Sequence, residues 1–88
     1  MKRTRVLISG DVQGVYFRDT CRRAAAQRGV TGWVRNLRDG RVEAVFEGPD
    51  DAVDGMVAWA RRGPAEARVA DVSAHAEAPE GLTGFMIR

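Results

Sequence analysis

An α+β sandwich, in which two helices cover one face of a single sheet, is the fold that this sequence predicts. Three observations support the prediction. The chain has 88 residues, which suits one domain over 1–88 and leaves no room for a second. Short β-branched segments alternate with two segments of helical periodicity. Glycine and proline separate these segments, so the connections between elements are short.

The first half of the chain predicts a strand, a loop and a helix. The strand runs from Thr4 to Ser9 and has the apolar centre of a central strand. A loop with two glycines follows, from Gly10 to Tyr16. The helix spans Phe17 to Arg28, with apolar residues at i, i+4, i+7 and i+8, and Gly29 ends it.

The second half predicts a hairpin, a second helix and further strands. Gly40 supplies the positive φ of the hairpin turn. We expect the side chain of Asp50 to cap the second helix, whose apolar stripe recurs at i, i+3, i+4 and i+7. In chain order, the elements are strands over Val30–Leu37 and Arg41–Glu47, a helix to Arg62, a strand over Arg68–Ala76 and a short strand over Phe85–Arg88.

The element order β-α-β-β-α-β predicts the ferredoxin-like sandwich. We expect a four- to five-stranded antiparallel sheet in the order 4-1-3-2, with both helices on one face. In this order the first and second strands run parallel, with the third between them. Their carboxyl ends then lie at the same edge of the sheet, ~10 Å apart.

Composition and charge exclude several classes of protein. No apolar stretch approaches the ~18 residues of a membrane span, and the apolar run after the basic N-terminus is too short for a signal peptide. The lone Cys21 forms no internal disulfide. We therefore expect a cytoplasmic protein. The net charge of +2 arises from basic residues spread along the chain, which does not indicate nucleic-acid binding.

Few residues are available for acid–base, nucleophilic or metal-assisted catalysis. His75 is the one histidine, and it lies inside a predicted strand with no nucleophile motif nearby. No metal-ligand spacing and no nucleoside triphosphate-binding loop is present. The sequence therefore predicts neither a metal site nor a nucleotide site.

The junction between the first strand and the first helix has the character of an anion site. Backbone N–H groups converge there at the positive end of the helix dipole, and Gly14 lets the backbone approach a bound oxyanion. Arg18 stands in the first helical turn, where its charge is disfavoured by ~0.3–1 kcal/mol unless an anion binds. Taken alone, an arginine in a first helical turn is more often a solvated helix arginine; with the glycine loop before Arg18, the two interpretations are balanced.

Asn36 is predicted at the carboxyl end of the second strand, at the same edge of the sheet. A phosphate in the first loop, together with one water, would span the expected gap. A neutral amide both donates and accepts hydrogen bonds, so it can orient a water without titrating. The ordinary interpretation of Asn36 is a turn residue before the hairpin.

Two segments resemble the signatures of the acylphosphatase family: Gly10–Arg18, and Gly32–Asn36 with Asp39 and Gly40. The resemblance covers nearly the whole chain. It implies hydrolysis of the carboxyl–phosphate bond of acyl phosphates to carboxylate and inorganic phosphate, without metal or organic cofactor. It also implies that Asn36 positions the attacking water, and that the phosphoryl group is bound by Arg18 with the loop amides, that is, by Gln13, Gly14, Val15, Tyr16, Phe17 and Arg18.

Further expectations concern inhibition, oligomeric state and two positions where this sequence departs from the family pattern. Inorganic phosphate should be product and competitive inhibitor, and the protein a monomer. Asp11 stands where relatives often carry a basic or small residue, so we expect its carboxylate to point away from the anion site. Many relatives end in an aromatic residue, whereas this chain stops at Arg88, which leaves the packing of its C-terminus open.

Two alternatives without catalysis use the same fold. An RNA-binding domain needs exposed aromatic residues on the third strand, but that strand, Arg41–Glu47, has one aromatic residue and two glutamates. The second alternative is a phosphate-sensing module, which the sequence alone does not distinguish from an enzyme.

Overall fold

The chain forms five strands and two helices, and the computed structural model describes all residues, 1–88. The predicted β-α-β-β-α-β order is confirmed, with small shifts at the boundaries. Neither helix is long and apolar enough to cross a membrane. The elements are β1 (Lys2–Asp11), α1 (Phe17–Gln27), β2 (Thr31–Asn36), β3 (Val42–Gly48), α2 (Asp50–Arg62), β4 (Arg68–Glu77) and β5 (Phe85–Ile87).

The strands form one sheet in the order β4-β1-β3-β2-β5. The first four strands have the predicted order 4-1-3-2 and pair antiparallel. The fifth strand differs from the prediction, because β5 pairs parallel with β2 and makes the sheet mixed. The reason is topological. β4 ends beside Arg3, at the sheet edge where β2 begins, so a chain that crosses to β2 from there must run in the direction of β2.

The core lies between the sheet and both helices. Side chains alternate along each strand, so Val6 and Ile8 of β1 face the helices and are fully buried. Phe17 of α1 meets Trp59 of α2 edge-on, with 5.2 Å between ring centroids. Each large apolar side chain buried here contributes about 1.5–3 kcal/mol. The remaining buried residues include Val34, Val42, Ala44, Phe46, Cys21, Ala25, Val53, Met56 and Ala60.

The start of α2 corrects one prediction. Asp50 does not cap the helix; it is the first helical residue, and Pro49 occupies the N-cap position without any side-chain cap. Pro49 has φ −57° and ψ 144° and leads the chain directly into the helix, where its carbonyl accepts the N–H of Val53 at 3.0 Å. The carboxylate of Asp50 lies 3.9 Å from the N-terminal ammonium and near the positive end of the helix dipole.

The sheet face away from the helices carries paired charges. The guanidinium of Arg3 donates to Glu47 at 2.8 Å and to Glu77 at 2.9 Å, and the Arg35 guanidinium donates to Glu43 at 2.6 Å. Alternation along the strands explains why these side chains share one face. We call this set the charged ladder; it comprises Arg3, Arg5, Arg35, Glu43, Glu47 and Glu77.

Glu47 also fixes the connection that leads to β5. Its side chain is only 1% exposed, and its carboxylate accepts the backbone N–H groups of Glu80, Gly81 and Leu82 at 2.8–3.1 Å. Burial alone would raise the pKa of this carboxyl. The hydrogen bonds from Arg3 and from the three N–H groups outweigh burial and hold the pKa below its ordinary value of 4.5. Glu47 therefore places β5 beside β2.

Candidate active site

The loop between β1 and α1 directs its backbone donors to one side. Gly14 and Tyr16 both have left-handed φ, 73° and 62°, and alternation of left- and right-handed residues brings successive N–H groups together. The first helical hydrogen bond runs from the N–H of Thr20 to the carbonyl of Tyr16. The N–H groups of residues 13–19 donate to no acceptor within the protein. Free N–H groups at a helix N-terminus are suited to bind an anion, and we call the N–H groups of residues 13–19 together with Arg18 the anion cradle.

Two contacts hold this loop in place. Gly10 has φ 122°, and a Cβ there would lie 2.2 Å from the carbonyl oxygen of Arg68, so only glycine permits β1 to pass β4 at this point. The side-chain amide of Gln13 donates to the carbonyls of Leu37 and Arg41, at 2.7 and 3.0 Å. Gln13 thus ties the loop to the β2–β3 hairpin with its side chain and leaves its own N–H for a ligand.

Arg18 stands in the first turn of α1 with no carboxylate partner. The adjacent carboxylate of Asp19 is engaged by Arg22 at 3.0 Å and by Arg23 at 2.7 Å. Adjacent residues on a helix do not face each other, so Asp19 pairs with these two arginines and not with Arg18. A half-buried cation without a partner, beside free backbone donors, is suited to an oxyanion.

Asn36 ends β2 on the face that the helices cover. Asn36 and Ile8 of β1 both pair with Val42 of β3, so two strand spacings, ~10 Å, separate their backbones, as the topology predicts. The Oδ1 atom of Asn36 is buried without a hydrogen-bond donor. Such an acceptor costs about 1–3 kcal/mol unless a ligand or water satisfies it.

Arg18 and Asn36 line the same cavity, with a volume of about 370 Å³. The structure therefore brings together most of the residues that the sequence singles out. The full lining is Val12, Gly14, Tyr16, Phe17, Arg18, Asp19, Asn36 and Ile87.

Three loop residues lie elsewhere. Gln13, Val15 and Asp11 line a second depression, of about 550 Å³, together with Glu66 and Arg68 among others. Asp11 is absent from the lining of the first cavity, in agreement with the expectation that its carboxylate points away. Gln13 and Val15 are also absent from the lining of the first cavity, so the structure does not place these two predicted phosphate-binding residues there.

Ile87 is the cavity residue that the sequence does not reveal. It lies in β5, opposite Val34 of β2, and its position depends on the parallel pairing of a three-residue strand. The only indication in the sequence is the short apolar segment from Phe85 to Ile87. This segment predicts a strand but does not indicate which strand it pairs with. The next residue, Arg88, donates its N–H to the carbonyl of Val34 at 2.9 Å.

The other reactive side chains lie away from this cavity. Cys21 is fully buried in α1, and burial raises the pKa of its thiol. His75 is exposed on β4, with a ring nitrogen 3.3 Å from the Ser73 hydroxyl. No group of three or more His, Cys, Asp or Glu side chains is placed to hold a metal ion.

The sheet face lacks the features of an RNA-binding surface. All residues of β3 are buried, so this strand offers no exposed aromatic ring. Trp33 on β2 is 9% exposed. The guanidinium groups of Arg35 and Arg88 stand over its ring, 5.3 and 4.6 Å from the centroid, and this stacking packs the C-terminus against the sheet.

Comparison with known proteins agrees with this geometry. The family model described as acylphosphatase matches residues 4–87. The chain belongs to the acylphosphatase family. It is 57% identical over 86 residues to an acylphosphatase of Haloquadratum walsbyi, covering 98% of this chain and 92% of the relative. An acylphosphatase of Rubrobacter xylanophilus is 57% identical over 88 residues, covering 99% and 80%.

Solved structures agree as well. The crystal structure of acylphosphatase from Bacillus subtilis has a TM-score of 0.96 at 37% identity and covers 100% of this chain and 99% of that one. The resemblance found in the sequence is therefore confirmed. The enzyme is an acylphosphatase, a hydrolase that splits the carboxyl–phosphate bond of acyl phosphates.

Proposed function

We propose that this acylphosphatase acts by in-line attack of a water oriented by Asn36 on a phosphoryl group held by Arg18 and the loop amides. The observation that carries the proposal is the shared cavity. It joins an unpaired guanidinium, a row of free N–H groups and an amide oxygen without a donor. Each of these groups lacks a partner that a phosphoryl group or a water would supply.

Binding of the phosphoryl group uses two kinds of donor. The planar guanidinium of Arg18 matches two phosphate oxygens with parallel N–H bonds. The backbone N–H groups of the loop take the remaining negative charge, which grows on the equatorial oxygens during transfer. The donors are those of Gln13, Gly14, Val15, Tyr16, Phe17 and Arg18, and the helix dipole of α1 supports them.

The chemical step requires little else. The water oxygen forms a bond to phosphorus while the bond from phosphorus to the acyl oxygen breaks, and the bonding electrons leave with the carboxylate. A carboxylate is stable as an anion, so no general acid is required. The proton of the water passes to a phosphate oxygen. Neutral Asn36 supplies orientation alone, and positioning accounts for much of the rate acceleration in such reactions.

Several finer properties belong to the same proposal. Inorganic phosphate inhibits competitively, because it fits the cradle that holds the phosphoryl group. The reaction proceeds without a metal ion or organic cofactor, since Arg18 and the amides supply the positive charge. The protein works as a monomer in the cytoplasm and binds no nucleic acid. The single, buried Cys21 is in keeping with a reducing compartment.

The proposal is tested with benzoyl phosphate as substrate and inorganic phosphate as ligand. Asn36→Ala lowers kcat by about 100-fold, the size of effect expected for lost positioning, and leaves the dissociation constant of inorganic phosphate within about twofold, because the binding donors remain. Arg38→Ala, a change on the exposed hairpin, is the control and leaves both values unaltered. EDTA has no effect on the wild-type rate.

Two results would contradict the proposal. Weaker phosphate binding by Asn36→Ala, with kcat preserved, would assign Asn36 to binding rather than to the water. Loss of wild-type activity on chelation, restored by added metal, would refute the metal-free mechanism. Tight phosphate binding without any turnover of acyl phosphates would favour the phosphate-sensing alternative.

A further inference from the structure

The catalytic cavity has a second, apolar side that the proposed mechanism does not use. Four large apolar side chains are exposed on the protein, and two of them, Tyr16 and Ile87, line this cavity. Tyr16 is 74% and Ile87 40% exposed. Exposed apolar groups at the mouth of a binding cavity are suited to contact a ligand.

The cavity is also larger than the phosphoryl group requires. Its volume of about 370 Å³ falls within the range of small-molecule pockets, roughly 300–1,000 Å³. The polar groups that hold the phosphoryl group, Arg18 and Asn36, account for only part of the lining. The acyl half of the substrate must extend from the phosphorus into the remaining space.

The sheet places Ile87 beside that space. Ile87 is opposite Val34 on the adjacent strand, and Asn36 is two residues further along, so its backbone is roughly 7 Å beyond Val34. Ile87 faces the helix side of the sheet, as Val34 does. Its neighbours Met86 and Arg88 face the other side, where Arg88 stacks on Trp33.

The position of Ile87 is fixed by backbone hydrogen bonds on both sides of it. Gly32 donates its N–H to the carbonyl of Gly84 at 3.0 Å, and Arg88 donates to Val34 at 2.9 Å. The connection before β5 is held by the carboxylate of Glu47. These bonds hold the backbone before and after Ile87 against β2 and so place its side chain in the cavity wall.

We infer that Ile87, with the ring of Tyr16, forms the subsite for the acyl group and selects acyl phosphates whose acyl half is apolar and uncharged. The inference rests on the proposed function, because it needs the phosphoryl group in the cradle. The charges agree with it. Apart from Arg18, the only charged residue in the lining is Asp19, so a carboxylate on the acyl half meets no free cation.

The test compares benzoyl phosphate with acetyl phosphate, which share the reacting bond and differ in apolar size. Ile87→Ala lowers the ratio of kcat/KM for benzoyl phosphate to that for acetyl phosphate by about 10-fold. Ile87→Val, which keeps a β-branched side chain in the strand, lowers the same ratio by about two- to threefold. Met86→Ala alters the same short strand on its other face and leaves the ratio unchanged.

A variant with a positive charge at position 87 provides an independent measurement, because it should favour a substrate whose acyl half is negatively charged. Ile87→Lys raises kcat/KM for succinyl phosphate, whose acyl half carries a carboxylate, relative to benzoyl phosphate by about 10-fold or more. The inhibition constant of inorganic phosphate and the far-UV circular dichroism spectrum are measured for every variant. They stay at wild-type values in the neutral variants Ile87→Ala, Ile87→Val and Met86→Ala, because the cradle does not include the side chains of Ile87 and Met86.

The outcomes separate the two proposals. An equal loss for both substrates in Ile87→Ala and Ile87→Val, or a change of the ratio in Met86→Ala alone, overturns the acyl subsite and leaves the mechanism intact. Failure of the mechanism itself appears instead in the Asn36→Ala experiment, which does not depend on the acyl group.

Discussion

Two arginine-containing regions of this enzyme differ in one respect, which is whether their charges are paired. In the charged ladder, Arg3 donates to Glu47 and Glu77, and every other guanidinium also meets a carboxylate. In the anion cradle, Arg18 meets none, although a carboxylate is its immediate neighbour in the chain. The residue types are the same, and only the partners differ.

The difference distinguishes scaffold from site. Paired and buried charges are costly to break, because the remaining partner is left without compensation in a poorly solvated place. In this protein the paired charges fix the fold, since Glu47 holds the connection that leads to β5. Unpaired donors that are half-buried raise the free energy of the empty site and lower it when an anion binds. The cradle therefore has the unpaired donors that the proposed binding of a phosphoryl group requires.

The largest effect is expected when the unpaired charge is removed. Arg18→Ala lowers kcat/KM by at least about 1,000-fold, since one lost donor in such a site already costs 100- to 1,000-fold. Arg18→Lys remains severely impaired, because an ammonium does not reproduce two parallel N–H bonds. Steady-state kinetics with benzoyl phosphate and binding of inorganic phosphate measure both variants.

Arg61→Ala is the matched control for Arg18. Arg61 is an exposed helix arginine without an ion pair, and its variant retains wild-type kinetics. If Arg18→Ala retained phosphate affinity, a half-buried unpaired arginine beside free N–H donors would not mark the ligand site, and the contrast between the two regions would be wrong.

The next largest effect is expected in the ladder and concerns folding. Glu47→Ala lowers the free energy of unfolding by about 3–5 kcal/mol, since it leaves the buried Arg3 uncompensated and three backbone N–H groups without their acceptor. Urea denaturation measures the loss. Glu47→Gln is less destabilising, because an amide oxygen still accepts hydrogen bonds from the loop.

Glu66→Ala serves as the control for the ladder. Glu66 is exposed and has no ion pair, so its removal changes stability by less than about 0.5 kcal/mol. A similar small change in Glu47→Ala would show that the ladder does not hold the fold.

The smallest effect is the pH dependence of stability. The pKa of Glu47 in the folded protein lies below 4.5, and hydrogen bonds from Arg3 and Arg5 also lower that of Glu77. These carboxylates contribute their full stabilisation above the unfolded pKa near 4.5 and lose it as pH falls through the folded pKa. Urea midpoints are therefore level from pH 5.5 to 7 and decline below about 4.5.

The same pH titration of stability distinguishes the contribution of Glu47 from that of the other carboxylates. Glu47→Gln has a lower stability at pH 7 but declines less steeply below pH 4.5, because the group that binds the proton is gone. An unchanged slope would indicate that other carboxylates cause the acid sensitivity.

Much of this enzyme could be predicted from local pattern. The helix over Phe17–Gln27 and the strands β1 to β3 follow from apolar periodicity and from glycine at the turns. Arg18 and Asn36 were predicted to lie close together because the loop after β1 and the end of β2 meet at one edge of the sheet, and both line one cavity in the structure. The capping role of Asp50 was predicted wrongly, because a proline at the preceding position sets the backbone into the helix without a side-chain cap.

The parallel direction of β5 and the position of Ile87 in the cavity could not be predicted from local sequence pattern. Three residues have too short a pattern to identify a partner strand, and the partner is set by where β4 ends and by the carboxylate of Glu47. The burial of the Asn36 amide oxygen without a donor was equally hidden, because it depends on the strands and helix that surround it. The pairing of Asp19 with Arg22 and Arg23, in contrast, has the i,i+3 and i,i+4 spacing of local helix pairs.

The sequence by itself determined the elements, their order, the glycine loop and the two polar residues at the sheet edge. These features depend on interactions between residues near one another in the chain, such as helical periodicity, turn conformation and strand alternation. Tertiary structure alone decided which charges pair across the strands, that the Oδ1 atom of Asn36 is buried without a donor, and that Ile87 lines the same cavity as Arg18. Those outcomes depend on contacts between residues far apart in the chain, whose distances no local pattern encodes.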